Sequence, residues 1–193
     1  MGHKENLIRA ARECLLRTGY ARTTVRELVA SSGANQASIN YHFGSKEALL
    51  TRALIELNTE WGELLFLALE GPKDSVGADR AEADRGRWER IIDSIQANRE
   101  LWFVNFESVA YTQHDPAIKA MNAEAQKTSR TALAAAFADL GEDADPEHAH
   151  AAGSHYYSLL VGTALQWLTD PAAAPTAAEI VAADTRRETH EWA

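Results

Sequence analysis

The sequence lacks several features that would assign it to common classes of protein. It has one cysteine in 193 residues, which excludes an internal disulfide framework and fits a reducing compartment. It has no run of 18 apolar residues, and its first residues, MGHKENLIRAARE, lack the apolar core of a signal peptide. We therefore expect a cytoplasmic protein that does not enter a membrane.

Signatures of catalysis are also missing. The sequence contains no G-x-S-x-G elbow, no glycine-rich phosphate loop and no H-E-x-x-H pair. His148, His150 and His155 form the closest group of histidines, but zinc sites on helices usually use i, i+3 or i+4 pairs together with Cys or carboxylate. We therefore predict that the protein is not an enzyme and has no catalytic residue, no metal site and no cofactor.

Strand-like alternation, hairpin signals and internal repeats are absent as well. Hydrophobic residues make up 46% of the chain and charged residues 24%, which is ordinary for a soluble globular protein. The apolar periodicity is helical throughout. We predict an all-α protein of about nine helices, with an N-terminal three-helix head (residues 1–46) and a C-terminal helical bundle (residues 47–193).

Residues 24–50, TVRELVASSGANQASINYHFGSKEALL, carry the most specific pattern. Thr24 followed by Glu27 forms a capping box for one short helix, and Gly33 suits its left-handed C-terminus. Asn35 is a good N-cap for a second short helix, residues 36–42. Two short helices joined by a turn containing glycine form a helix-turn-helix, whose second helix enters the DNA major groove.

The second of these helices carries side chains that can contact bases. Gln can pair with adenine through two hydrogen bonds, Ser can bond to several bases, and the Ala methyl group can touch a thymine methyl. The next helix starts with Ser45 as its cap and Lys46 in its first turn, where free backbone N–H groups favour a phosphate. The predicted base-facing residues are Gln36, Ala37, Ser38 and Asn40.

This stretch resembles the N-terminal DNA-binding domain of the TetR family of bacterial transcriptional regulators. The resemblance depends on Gly33, the His42-Phe43 pair and the Lys46-Glu47 pair, and it covers about the first 50 residues. It implies a DNA-binding head, a dimer, and a body that binds a small effector. The residues that it places against phosphates are Thr24, Tyr41, His42 and Lys46.

The chain departs from the family pattern at two positions. Asn40 stands where the family usually has Tyr, and Ala37 stands where Gly is common. The family Tyr usually touches a phosphate, and neighbouring Tyr41 can supply that contact here.

The net charge of −9 is divided unevenly along the chain. Residues 1–52 hold eight basic and four acidic residues, giving +4, and the remaining 11 basic and 24 acidic residues give −13. This asymmetry favours end-on approach of the head to a polyanion. Because +4 is modest, it favours a homodimer on double-stranded DNA, in which two heads add their phosphate contacts.

The first part of the body is predicted to be a long rod. Apolar residues near heptad spacing predict a helix over residues 45–70, ended by Gly71-Pro72. Such a rod would touch DNA at one end and enter the body at the other. The polar stretch 73–86 predicts a loop, although its Ala-Glu-Ala portion could form a helical turn.

Later helices are marked by their caps. Asp115-Pro116 opens one helix that Gly141 closes, and Asp145-Pro146 opens the next. Thr176 and Glu179 form a capping box for a last helix toward Trp192.

The body offers candidates for two further sites. Aromatic side chains in it could line an effector pocket, or each could be a plain core residue. The pocket candidates are Trp61, Phe66, Trp88, Trp102, Phe103, Phe106, Tyr111 and Phe137. Small residues in the helix that begins at Pro146 suit either a tight dimer interface or an intrachain core. The interface candidates are Gly153, Tyr157, Leu160, Ala164 and Trp167.

Two functions remain open on the sequence. The first is a ligand-responsive, homodimeric transcriptional regulator, a repressor that a small apolar or amphipathic effector releases from a pseudo-palindromic operator. The alternative is a helical small-molecule-binding or interaction protein without specific DNA readout, which the acidic total and Asn40 favour.

Overall fold

The computed structural model describes residues 2–70, 79–141 and 143–188. Within these ranges the chain forms nine α-helices and no strand, which confirms the predicted all-α class. The helices are α1 (His3–Thr18), α2 (Val25–Ser32), α3 (Gln36–Phe43), α4 (Lys46–Glu70), α5 (Arg80–Ala97), α6 (Arg99–Tyr111), α7 (Pro116–Ala138), α8 (Pro146–Thr169) and α9 (Ala177–Glu188).

Side-chain caps set most of the helix starts. The Asp115 carboxylate accepts from Ala117 N–H at 2.8 Å at the start of α7. The Asp145 carboxylate accepts from His148 N–H at 2.9 Å at the start of α8. Each cap satisfies backbone donors that the first turn of a helix leaves free.

Two predicted boundaries were wrong. Helix α5 begins at Arg80, inside the predicted loop 73–86, because Asp79 caps it by accepting from Glu82 N–H at 2.8 Å. Helix α7 ends at Ala138 rather than near Gly141. The predicted stop at Gly71-Pro72 and the extension of the last helix to Trp192 lie outside the described residues.

The chain divides into two compact units by packing. Unit 1 comprises Met1–Trp61 and Glu100–Ala125. In it α1 packs against α2 and α3. The core side chains of these three helices are Leu7, Ala11, Cys14, Leu15, Leu28 and Ile39.

Unit 2 comprises Gly62–Arg99 and Gln126–Ala193. In it α5 packs against α8 and α9, around Trp88, Ile91, Ile95, Phe137 and Leu160. In the described parts of both units, no helix is long and apolar enough to cross a bilayer.

Candidate nucleic-acid interface and ligand cavity

The turn between α2 and α3 has the geometry that the sequence predicts. Glu27 N–H donates to the Thr24 hydroxyl at 3.2 Å, and Thr24 N–H donates to the Glu27 carboxylate at 2.9 Å. Gly33 ends α2 with φ of 67°, a conformation that costs other residues free energy. Asn35 then caps α3 by accepting from Ser38 N–H at 2.9 Å.

Helix α3 has one buried face and one open face. Ile39 is 1% exposed and anchors the helix in unit 1. Gln36, Ala37 and Asn40 are exposed. Ser38 is half-buried, and its hydroxyl donates to the Asn35 side chain at 3.1 Å. Three of the four predicted base contacts are therefore open to solvent, while the Ser38 hydroxyl is already engaged by the cap.

The predicted phosphate contacts differ in their surroundings. Tyr41 is 85% exposed, and its ring meets the ring of His42 edge-on at 4.9 Å. Lys46 is half-buried, and its Nζ donates to the backbone carbonyl of Thr23 at 3.4 Å. The Thr24 hydroxyl donates to Glu27. Tyr41 and His42 are therefore open to a ligand, and the Lys46 ammonium keeps one of its three donors beyond those directed at Thr23 and Glu47.

Glu13 ties α1 to α2 behind this surface. Its carboxylate accepts from the Ser31 hydroxyl at 3.0 Å and from Arg9 at 2.9 Å. These hydrogen bonds, that from Ser31 first, hold the pKa of Glu13 below its ordinary value. The hydrogen bonds from Thr24 lower the pKa of Glu27 in the same way. Both carboxylates thus stay ionised at neutral pH, and their hydrogen bonds stabilise α2 of the helix-turn-helix.

The predicted pocket aromatics are divided between the two units. In unit 1, Trp61 and Trp102 pack edge to face with centroids 5.3 Å apart, and Phe106 lies 5.9 Å from Trp102. The Trp61 indole N–H is buried without a hydrogen-bond partner in the described part of the chain. Phe66 and Phe103 are 40% and 52% exposed. Tyr111 also lies apart from these tryptophans, against the ring of Tyr20 at 4.3 Å.

Trp88 and Phe137 line a cavity of about 180 Å³ in unit 2, called here the aromatic cavity. Their centroids are 5.2 Å apart, and the Tyr156 ring stacks on Phe137 at 4.9 Å. Two carboxylates, Asp84 and Asp184, also belong to the lining. The cavity therefore combines aromatic faces with a few polar anchors, the usual make-up of a small-molecule site.

The polar part of this lining was not predicted from the sequence. Asp84 lies 2.7 Å from Arg87 and 3.9 Å from Arg80. Burial nevertheless raises the pKa of Asp84, against the lowering effect of these arginines. Arg80 also donates to Asp139 at 2.8 Å. Asp139 lies 59 residues from Arg80 in the sequence, so no short motif marks this contact.

Three predicted interface residues are buried inside the chain. Leu160 and Ala164 are 0% exposed. Gly153 is buried, and a Cβ atom added there would lie 2.3 Å from the backbone oxygen of Arg130. These residues serve the packing of unit 2, so they leave no surface for a partner.

Another row of α8 is open instead. Leu165 is 57% exposed and Ser158 is exposed. The other two predicted interface residues, Tyr157 and Trp167, are half-buried. Burial raises the pKa of the Tyr157 hydroxyl. The Trp167 indole N–H donates to the Pro175 carbonyl at 3.0 Å.

Two family comparisons cover most of the chain. Residues 7–53 match the sequence model of bacterial regulatory proteins of the tetR family. Residues 80–189 match that of the BetI-type transcriptional repressor, C-terminal, and this match spans more than half of the chain.

Solved structures share the fold. A transcriptional regulator from Rhodococcus sp. Rha1 is 21% identical with a TM-score of 0.69, and 96% of each chain is covered. Multidrug binding protein EbrR, complexed with imidazole, is 20% identical with a TM-score of 0.66, covering 95% of this chain and 94% of that one. A protein from Saccharomonospora viridis, in complex with choline, is 19% identical with a TM-score of 0.65, covering 97% and 96%.

Proposed function

Because the chain belongs to the TetR family of bacterial regulatory proteins, we propose that it is a homodimeric repressor that a small effector releases from its operator. The observation that carries the DNA-binding assignment is that α3 has one buried face and one exposed face. Ile39 is buried, whereas Gln36, Ala37 and Asn40 of the same short helix face solvent. An exposed recognition helix on a fixed scaffold is what base readout requires.

We assign the contacts by their chemistry. Gln36, Ala37 and Asn40 lie against bases in the major groove, with Ser38 supporting the helix start as well as facing the bases. Tyr41, His42, Lys46 and Thr24 lie against phosphates, and the donors of the first three fix the register of the protein on the duplex, while those of Thr24 stay with Glu27. The DNA-binding domain is residues 1–46, and residues 47–193 form the domain for ligand and dimer.

The dimer interface is assigned to the open row of α8. Ser158, Val161, Gly162 and Leu165 follow helical spacing, and none of them is fully buried. A two-fold axis would pair this row with itself, because closed dimers use the same patch on both subunits. Two heads would then meet half-sites about 34–36 Å apart, or a multiple of that spacing.

The aromatic cavity is the assigned effector site. Its volume of about 180 Å³ suits a small ligand, and its aromatic faces and carboxylates suit an amphipathic one. Similar proteins were solved with imidazole, proflavin and choline. Effector and DNA need only prefer different conformers for one to release the other. Helix α4, which starts at Lys46, is assigned as the element through which effector binding acts on the DNA-binding residues.

A regulator that binds chromosomal DNA acts in the bacterial cytoplasm, which is the proposed location of this protein. The buried free thiol of Cys14 is consistent with a reducing compartment.

Substitutions at Gln36 and Lys46 test the assigned contacts separately. Selection of bound sequences from random DNA should give an inverted repeat for the wild type and a changed base preference for Gln36→Ala. Lys46→Ala should weaken binding to all sequences about equally and reduce the salt slope by about 2, because a homodimer loses one phosphate contact from each subunit. Lys119→Ala, which removes an exposed charge from α7, is the control. A Gln36 variant with unchanged preference would refute the base contact.

A further inference from the structure

Among the residues that the structure describes, the charged side chains that line a groove between α7 and α8 are all basic. Its volume is about 320 Å³, and Lys127 and Arg130 from α7 and His150 from α8 line it. The Thr131 hydroxyl is beside them. Lys127, Arg130 and Thr131 are three and four residues apart, so they share one face of α7. We call this the α7–α8 groove.

The basic lining is unusual for this chain. Residues 53–193 carry 24 acidic against 11 basic residues, so a basic residue there has many possible partners. Neither Lys127 nor Arg130 forms an ion pair with any residue that the structure describes. Nearby Asp145 does not line the groove, and its carboxylate is used to cap α8.

Close packing holds Arg130 in position. The backbone of Gly153 approaches α7 so tightly that a Cβ atom there would lie 2.3 Å from Arg130 O and 3.0 Å from Arg130 Cβ. Arg130 is half-buried, and its positive charge acts on the neighbouring Tyr157 hydroxyl. The Arg130 backbone is thus fixed by the packing of α7 against α8, so ligand binding needs to order only the side chain.

The rest of the lining is largely apolar. Ala134, Leu140 and Ala149 belong to it, and Ala134 is 1% exposed. The volume falls in the range of about 300–1,000 Å³ that is typical of small-molecule sites. An inorganic ion would leave this apolar surface uncovered, whereas an organic acid covers it with its hydrocarbon part.

We propose that the α7–α8 groove binds a small organic carboxylate whose hydrocarbon part lies against Ala134, Leu140 and Ala149. The planar guanidinium of Arg130 presents two parallel N–H donors to the carboxylate, and Lys127 adds a point charge. The His150 ring supplies a further hydrogen bond, while the Thr131 hydroxyl donates to the Lys127 carbonyl at 3.3 Å. The site shares no lining residue with the aromatic cavity, so the two ligands would occupy separate places.

Calorimetric titration of the full chain with octanoate and with octylammonium tests the charge requirement. The two probes have the same chain length and opposite charge. We expect octanoate to bind at one site per chain and octylammonium to bind at least tenfold more weakly. Arg130→Gln removes a charged hydrogen-bond donor, so it should weaken octanoate binding by about tenfold or more. Lys127→Gln should weaken it less.

Two controls separate the site from general effects. Lys119→Gln removes the same charge from α7 outside the groove and should leave octanoate binding unchanged. Ala149→Leu keeps every charge but fills part of the apolar lining, so it should also reduce binding. Thermal unfolding by circular dichroism establishes that each variant is folded. Absence of octanoate binding, equal binding of both probes, or equal binding to Arg130→Gln and wild type would each overturn the proposal.

Discussion

The carboxylate of Glu107 on α6 accepts a hydrogen bond from the backbone N–H of Tyr20 at 2.9 Å. Its other oxygen accepts from Ala21 N–H at 3.4 Å and from the Tyr111 hydroxyl at 3.3 Å. The two bonds from Tyr20 and Ala21 attach α6 to the turn between α1 and α2, within unit 1, whereas the bond from Tyr111 lies within α6. A shift of α6 would therefore move the segment that leads into the helix-turn-helix.

Glu107→Ala should destabilise the protein. It leaves the half-buried Tyr20 N–H without its partner, which costs about 1–3 kcal/mol of unfolding free energy. Urea unfolding monitored by circular dichroism measures the loss. Glu100→Ala, an exposed carboxylate on the same helix, is the control and should change little. Equal stability of the Glu107 and Glu100 variants would contradict the role of this carboxylate.

The stability that Glu27 contributes should depend on pH. Hydrogen bonds from Thr24 hold the pKa of Glu27 below its ordinary value, which is about 4.3. A group whose pKa is lowered by folding stabilises the native state above its unfolded pKa and loses that contribution as pH falls through the folded pKa. Wild type should therefore be more stable than Glu27→Gln at pH about 7, and the difference should shrink below pH about 4.

Urea unfolding of both proteins at several pH values measures this difference. Glu179→Gln, which removes the charge from the equivalent capping box with Thr176 at α9, should show the same pH dependence. A Glu27 difference that persists undiminished in acid would mean that the carboxylate charge is not its source.

Gly153→Ala should destabilise the packing of α7 against α8. The added methyl group would meet the Arg130 carbonyl oxygen, and such overpacking costs about 1–3 kcal/mol. Gly62→Ala is the matched control, because a Cβ atom there meets nothing within 4 Å. That variant should gain about 0.5–1 kcal/mol, since alanine favours helix over glycine. Equal midpoints of thermal unfolding for the two variants would refute the close approach.

Leu165→Glu should convert the proposed dimer to monomer. Leu165 is 57% exposed on the open row of α8, and a charge buried in an apolar interface without a partner is strongly unfavourable. Sedimentation velocity measures the change. Leu67→Glu places the same charge at a 65% exposed leucine on α4 and should leave the oligomeric state unchanged. A dimeric Leu165→Glu protein would place the interface elsewhere.

Helix starts in the recognition motif could be predicted because they depend on residues close in sequence. Thr24 and Glu27 cap α2 across three residues, and Asn35 caps α3 in the same way. Such caps act whatever the rest of the chain does. The burial of Ile39 follows from helical periodicity for the same reason.

Features that depend on distant residues could not be predicted. The Arg80 side chain at the start of α5 bonds to Asp139, 59 residues away, whereas the local composition of residues 73–86 indicated a loop. Helix α8 has apolar residues on most of its surface, so its periodicity did not show which row faces the core. Tyr156 joins the aromatic cavity only because α7 and α8 pack together around Phe137.

Fluorescence anisotropy with the intergenic DNA that flanks the gene of this protein tests the central claim most directly. The titration is run against scrambled DNA of the same length, from about 50 to 200 mM salt, where phosphate contacts show clearly. A sequence-specific regulator should bind the flanking DNA with a Kd of about 10⁻⁸ M or lower. Its binding should depend steeply on salt and be much weaker to the scrambled sequence. Equally weak binding to both, together with no enriched sequence in selection from random DNA, would contradict a sequence-specific regulator and favour a helical binding protein without DNA readout.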